Sequence, residues 1–143
     1  MVDMHLEVNI IPVSDAERSK QFYQRLGWRL DDDVAPTDSV RLIQFTPPGS
    51  ACSITFGRGI TAASPGSVQG GLVVSDIEVA RGELTNHGID AGEIFHGAPF
   101  PREGRLRGPH PERQTYGSFV SFSDPDDNEW LVQEVTTRLP GRD

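Results

Sequence analysis

The chain contains the same short block twice. Val13-Ser14-Asp15-Ala16-Glu17 recurs sixty-one residues later as Val74-Ser75-Asp76-Ile77-Glu78, and the same offset pairs Gly27 with Gly88 and Trp28 with Ile89. Self-similarity at a fixed spacing means that one supersecondary unit is built twice. The question is then what that unit is and what two copies can enclose.

Each copy reads as strand, helix, stop. Ser-x-x-Glu after an apolar run is a capping box, in which Ser14 with Glu17, and Ser75 with Glu78, satisfy backbone donors of the first helical turn. Asp15 and Asp76 place negative charge at the positive end of the helix dipole. Ala16, Ser19, Phe22, Tyr23 and Leu26 fall on one side of the first helix, and Ile77, Ala80 and Leu84 on one side of the second, as helices covering a sheet require. Gly27 and Gly88 supply the left-handed residue that ends each helix. A strand precedes each helix, at 6–13 and 68–74. Alternating or β-rich stretches bounded by Pro, Gly and Asp follow, at 28–34, 40–46, 51–57, 89–95, 117–123 and 129–135. Late in the second copy the offset grows to seventy-seven, pairing Phe45 with Phe122, Pro48 with Pro125 and Ile54 with Leu131. Sixteen residues are therefore inserted, within a Pro-, Gly- and Arg-rich stretch at about 97–116 that reads as a long surface loop.

Composition narrows the setting. At 143 residues the chain is expected to form a single domain, 1–143. No apolar run approaches the roughly 18 residues that cross a bilayer, and the first residues carry Asp3, His5 and Glu7 rather than a basic and apolar leader. A lone cysteine, Cys52, forms no internal disulfide, which fits a cytoplasmic setting. Thirteen basic against twenty-one acidic residues give a formal charge of −8, which repels nucleic acid and anionic membranes, so neither is expected as a partner.

With these residues the chain is similar to the vicinal oxygen chelate proteins, which comprise glyoxalases, bleomycin-resistance proteins and extradiol dioxygenases. The likeness rests on Val13-Ser14-Asp15 leading to Phe22-Tyr23-x-x-Leu26-Gly27-Trp28, on Val74-Ser75-Asp76, and on Phe122-Ser123-Asp124-Pro125-Asp126-Asp127-Asn128. In the family the position of Asp127 more often holds Gly. The resemblance implies an α+β fold of two tandem βαβββ modules, here at about 4–60 and 66–137, whose curved mixed sheet forms a cup, often in a homodimer. Fold does not fix chemistry. Enzymes of the family hold a divalent metal with His or Glu from the first and last strand of each module. The matching first-strand positions are Val8 and Gln69. The last-strand position is Leu131, whose partner in the repeat is Ile54, or Ser53 if the register slips by one. A catalytic ion wants about three His, Asp, Glu or Cys ligands, so no metal cofactor is expected. His5 with Glu7 reads as a solvated pair at a chain end, and Glu134 alternates with Gln133 and Val135 so as to face away from the cup.

No phosphate loop, nucleophile elbow or activated cysteine accompanies the repeat, and catalytic residues are not assignable. Strand alternation puts Val8, Ile10 and Pro12 on one face, and Gln69, Gly71 and Val73 on its repeat. Leu131, Gln133 and Val135 join them, while Ser53, Thr55 and Phe56 contribute from a face that the register leaves unassigned. The candidate ligand-binding set is Val8, Ile10, Phe45, Ser53, Phe56, Gln69, Val73, Arg107, Leu131 and Gln133. A mostly apolar surface with a few amides suits a hydrophobic or aromatic molecule. The inserted stretch carries Arg102, Arg105, Arg107 and Arg113 and has two readings: a solvated loop, or a lid in which one Arg closes over an oxygen of the ligand. The expected function is metal-free binding and sequestration of a drug-like or natural-product molecule. The alternative is an enzyme, a lyase, isomerase or dioxygenase, that uses acid-base chemistry or a non-standard metal site.

Overall fold

The structure is a computed structural model that describes residues 1–142. Its elements are β1 (Val8–Ile10), α1 (Ala16–Arg25), β2 (Arg29–Thr37), β3 (Val40–Thr46), β4 (Ser53–Arg58), β5 (Gln69–Val74), α2 (Ile77–Asn86), β6 (Phe95–Gly97), β7 (Arg105–Arg107), β8 (Ser118–Ser123) and β9 (Glu129–Glu134). They form two units. One runs from Met1 to Val68 and takes in Asp124–Asn128; the other holds Gln69–Ser123 and the chain from Glu129 onward. The fold is α+β, with one mixed sheet per module. In the first the order is β1-β4-β3-β2, and in the second β5-β9-β8-β6-β7. The first strand of each module runs parallel to its last, and the other pairs are antiparallel. The sheets therefore repeat one topology, with β7 as an addition to the second. Among the described residues no helix is long and apolar enough to cross a membrane.

Both helices start one residue later than a Ser cap requires. Asp15 is the N-cap of α1, its carboxylate accepting from Arg18 N at 3.1 Å, and Asp76 caps α2 by accepting from the backbone N–H groups of Glu78 and Val79. The capping boxes expected of Ser14 and Ser75 do not form, because an aspartate caps as well as a serine and adds charge matched to the dipole. Their other members are used elsewhere: Glu17 takes Arg41, Glu78 takes Arg113, and Ser14 donates from N and Oγ to Asp126. Gly27 and Gly88 end the helices at φ of +85° and +75°.

The core of the first unit centres on Tyr23, fully buried, with the rings of Phe22, Trp28, Phe45 and Phe56 at 5.1–6.1 Å. Its hydroxyl donates to Asp124 at 2.9 Å. Asp124 opens the segment that the resemblance singled out, and its carboxylate also accepts from the backbone N–H groups of Asp126 and Asn128. Asn128, itself buried, spans from Pro12 O to Val68 N and donates to the Asp124 carboxylate as well. In the second unit Gly70 lies against the Trp130 ring: a Cβ there would stand 2.3 Å from it, which only glycine avoids.

Three expectations need correction. The strand placed at 89–95 is Phe95–Gly97, because Gly92 turns away to donate to Ser121 O and to accept from Arg81. The insertion is not a plain loop: Arg105–Arg107 pairs with β6 and widens the second sheet. Finally, Ile10 faces Thr55 and Gly71 faces Leu131, so the counterpart of Leu131 is Thr55, at an offset of seventy-six, rather than Ile54 or Ser53. The β3–β4 connection is one residue longer than that between β8 and β9, which sequence matching absorbed into the wrong strand.

Candidate functional site

Side chains directly opposite each other in a ladder share a face. In the first unit Val8 pairs with Ser53, Ile10 with Thr55, and Thr55 with Gln44, so these occupy the face away from α1. Phe45 and Phe56 belong to the other face, in the Tyr23 cluster. In the second unit Gln69, Val73, Leu131 and Gln133 share the face away from α2, together with Phe119, Phe95 and Arg107. The structure thus places Val8, Ile10 and Ser53 on one open sheet face and Gln69, Val73, Arg107, Leu131 and Gln133 on the other. Above Gly71, between Gln69 and Val73, a Cβ would meet nothing within 4 Å, so the second face is open there.

The first face carries a directed chain of hydroxyls. Thr46 Oγ1 donates to the Asp31 carboxylate, which only accepts, and Thr46 and Ser53 hydroxyls lie 2.6 Å apart. Since Thr46 has one proton and spends it on Asp31, Ser53 must donate to Thr46, and its oxygen offers only lone pairs to anything beyond. The Arg29 guanidinium, and then the Thr46 hydroxyl, hold the Asp31 carboxyl below the usual carboxylate range.

On the second face Phe95 and Phe119 stack with ring centroids 5.3 Å apart, and the Arg105 guanidinium lies over Phe95 at 4.3 Å. Arg105 Nε donates to Pro99 O at 3.0 Å. Gln133 Nε2 donates to Tyr116 O at 2.9 Å. Sequence reasoning missed Phe95 and Phe119, and named Arg105 only as one of four arginines in the inserted stretch. Alternation in 117–123 contained Phe119, but which face it takes depends on the register, which no local pattern reveals.

The rest of the insertion is docked. Arg113 sits at φ +51° and sends its guanidinium to Glu134 at 2.5 Å and to Glu78 at 2.6 Å. Glu134 is 1% exposed and also accepts from Ile77 N, on the α2 side of the sheet. The Arg113 guanidinium holds its carboxyl below the usual range, against the opposing effect of burial. Thus Arg113 anchors the loop instead of closing over a ligand.

The donor set of the metal positions does not fit a catalytic divalent ion. Val8 and Leu131 have no donor atom, Gln69 offers an amide, and Thr55, the true counterpart of Leu131, a hydroxyl. Among the described residues no three His, Cys, Asp or Glu side chains are grouped to hold an ion. A cavity of about 480 Å³ lies elsewhere in the first unit, between residues 12–17 at the start of α1 and the segment 57–65. Its Arg41 is committed to Asp33 and Glu17.

Residues 4–34 match the family model described as bleomycin resistance protein-like N-terminal. No curated protein matches the chain at a significant level. Among solved structures it is similar to TnmS3, an antibiotic binding protein from Streptomyces sp. CB03234, at 26% identity and a TM-score of 0.69, covering 94% of this chain and 98% of that one. A glyoxalase/bleomycin resistance protein from the same organism shares 26% identity with a TM-score of 0.65, over 91% of this chain and 100% of that one. A member of the glyoxalase/bleomycin resistance protein/dioxygenase superfamily from Sphaerobacter thermophilus DSM 20745 shares 24% identity, a TM-score of 0.66, and coverage of 92% and 98%. In its duplicated strand order, its 124–128 turn and these likenesses, the chain has the fold of the glyoxalase/bleomycin resistance protein/dioxygenase superfamily and is similar to its members.

Proposed function

We propose that this protein binds a hydrophobic or aromatic small molecule, of the drug-like or natural-product kind, and sequesters it unchanged and without a metal. The observation that carries the reading is the make-up of the two open sheet faces. They present Val8, Ile10, Val73 and Leu131 with scattered amides at Gln44, Gln69 and Gln133, over buried Ser53 and a buried, stacked Phe95–Phe119 pair. Such faces gain affinity from apolar area and orientation from a few polar groups. At the positions where the enzymes of the family carry metal ligands, the donors are too few. The similarity to an antibiotic binding protein over nearly the whole chain supports the same reading.

The test is a thermal-shift screen of the purified protein against aromatic antibiotics, combined with elemental analysis of protein prepared without chelators. Binding to the native state alone raises the melting temperature with ligand concentration. The reading expects at least one aromatic compound to do so at micromolar concentration, with metal far below one ion per chain. Stoichiometric Zn, Ni, Mn or Fe, or a screen with no shift, would contradict it.

A further inference from the structure

Gln133 stands in the middle of the second open face with one end of its amide already committed. It is half-buried in β9, with Val73 directly opposite on one side and Phe119 on the other. Its Nε2 donates to Tyr116 O at 2.9 Å. A carbonyl only accepts, so the amide cannot turn over without losing this bond, and its oxygen is held away from Tyr116. The Tyr116 carbonyl is itself fixed. Tyr116 N donates to Glu134 O at 2.9 Å, and the neighbouring Thr115 Oγ1 donates to Thr137 O and accepts from the N–H groups of Thr136 and Thr137. The end of the inserted stretch thus supports one amide rigidly. Gln133 Oε1 has no partner in the chain and is open to solvent, since the sealed side-chain atoms without a partner, among the described residues, are those of Ser19 and Arg105.

Beside this oxygen the face has a gap. Gly71 lies opposite Leu131, flanked along β5 by Gln69 and Val73. At the adjacent Gly70 the Trp130 ring demands glycine, but at Gly71 a Cβ meets nothing within 4 Å and the backbone is not left-handed. Neither crowding nor strain accounts for a missing side chain there, and its effect is a flat floor walled by Leu131 and Val73.

Resting on the binding reading above, we propose that Gln133 is a specificity-determining residue: a flat aromatic ligand lies over Gly71 against Leu131 and Val73, and a hydroxyl or N–H that it carries donates to Gln133 Oε1. Strand rise and spacing put Gly71 and Gln133 about 8 Å apart, within the span of a ring system and its substituent. The selected class is neutral aromatic alcohols, phenols and amides, over their methylated forms. As the ring packs it strips water from Oε1. A ligand donor replaces that water, whereas a methyl group leaves a desolvated acceptor unpaired, which is costly.

The test is calorimetric titration of the whole chain with 2-(hydroxymethyl)anthraquinone and with its methyl ether, neither of which ionises near neutral pH. The wild type is expected to bind the alcohol about tenfold tighter or more. An ether oxygen still accepts, so if the second Nε2 proton were the contact, the two would bind alike. In Gln133→Met, which keeps length and apolar area, alcohol and ether are expected to bind within about twofold of each other, with ether affinity little changed. Gly71→Leu fills the floor and is expected to weaken both compounds about tenfold or more while the protein still melts cooperatively. If Gln133→Met does not fold, Gly71→Leu and the wild-type preference carry the test. Equal binding of alcohol and ether to the wild type, a preference that survives Gln133→Met, or full binding by Gly71→Leu overturns the proposal and leaves the binding reading standing. Binding of neither compound also overturns it, and the antibiotic screen then decides the wider reading alone.

Discussion

At the scale of single residues, the segment Asp124 to Asn128 shows how a motif becomes structure. Asp124 gathers the Tyr23 hydroxyl and two backbone N–H groups, and Asn128 spans Pro12 and Val68. These roles are invisible in the linear sequence, because Tyr23 and Asp124 are 101 positions apart. What the sequence does reveal is the turn chemistry, and the one departure from the family pattern. Asp127 stands at φ +68°, in the left-handed region that glycine enters freely. A non-glycine residue is strained there by up to about 1–2 kcal/mol, while glycine loses about 0.5–1 kcal/mol in chain entropy. Asp127→Gly is therefore expected to stabilise the fold by less than about 1 kcal/mol, and Asp127→Val to destabilise it. Urea midpoints at constant m-value check this, and a glycine variant weaker than wild type contradicts it.

At the scale of elements, helices were the most legible part of the sequence. Periodicity located α1 and α2, and Gly27 and Gly88 marked their ends. The caps shifted by one residue, since Ser and Asp are both good N-caps and the pattern cannot choose between them. Short strands were less legible: β6 starts at Phe95 because Gly92 is bound to Ser121 and Arg81, long-range contacts with no local signal. The insertion hid a strand and an anchor. Arg113 holds the Glu134 carboxyl below its usual range, and Arg41, then Lys20, do the same for Asp33. A carboxyl whose folded-state value is depressed contributes stability that is present above the unfolded value and lost as pH falls through the folded one. Stability is thus expected to be flat from about pH 7 to 5 and to decline below about pH 4.5, where unfolded carboxyls take up protons. Glu134→Gln is expected to be less stable at neutral pH and to show a shallower acid slope. An unchanged slope in denaturation midpoints between pH 7 and 3 contradicts the Arg113–Glu134 anchor.

At the scale of the whole molecule, the repeat disclosed a duplicated module, and the two sheets carry the same strand order. The candidate site was only partly legible. Alternation put Val8, Ile10, Gln69, Val73, Leu131 and Gln133 on faces away from the helices. Phe45 and Phe56 lie on the helix side, Phe95 and Phe119 emerged only with the ladder register, and the face taken by Arg105 did so too. On the proposed function, faces of this composition would hold a ligand by packing and a few directed hydrogen bonds. The most direct measurement mixes the protein with an equimolar aromatic ligand found by thermal shift, holds it for hours at working temperature, then extracts and weighs the ligand. The account predicts one ligand per site recovered at unchanged mass, whereas conversion of the ligand to a product of different mass or connectivity, faster than without protein, would contradict it.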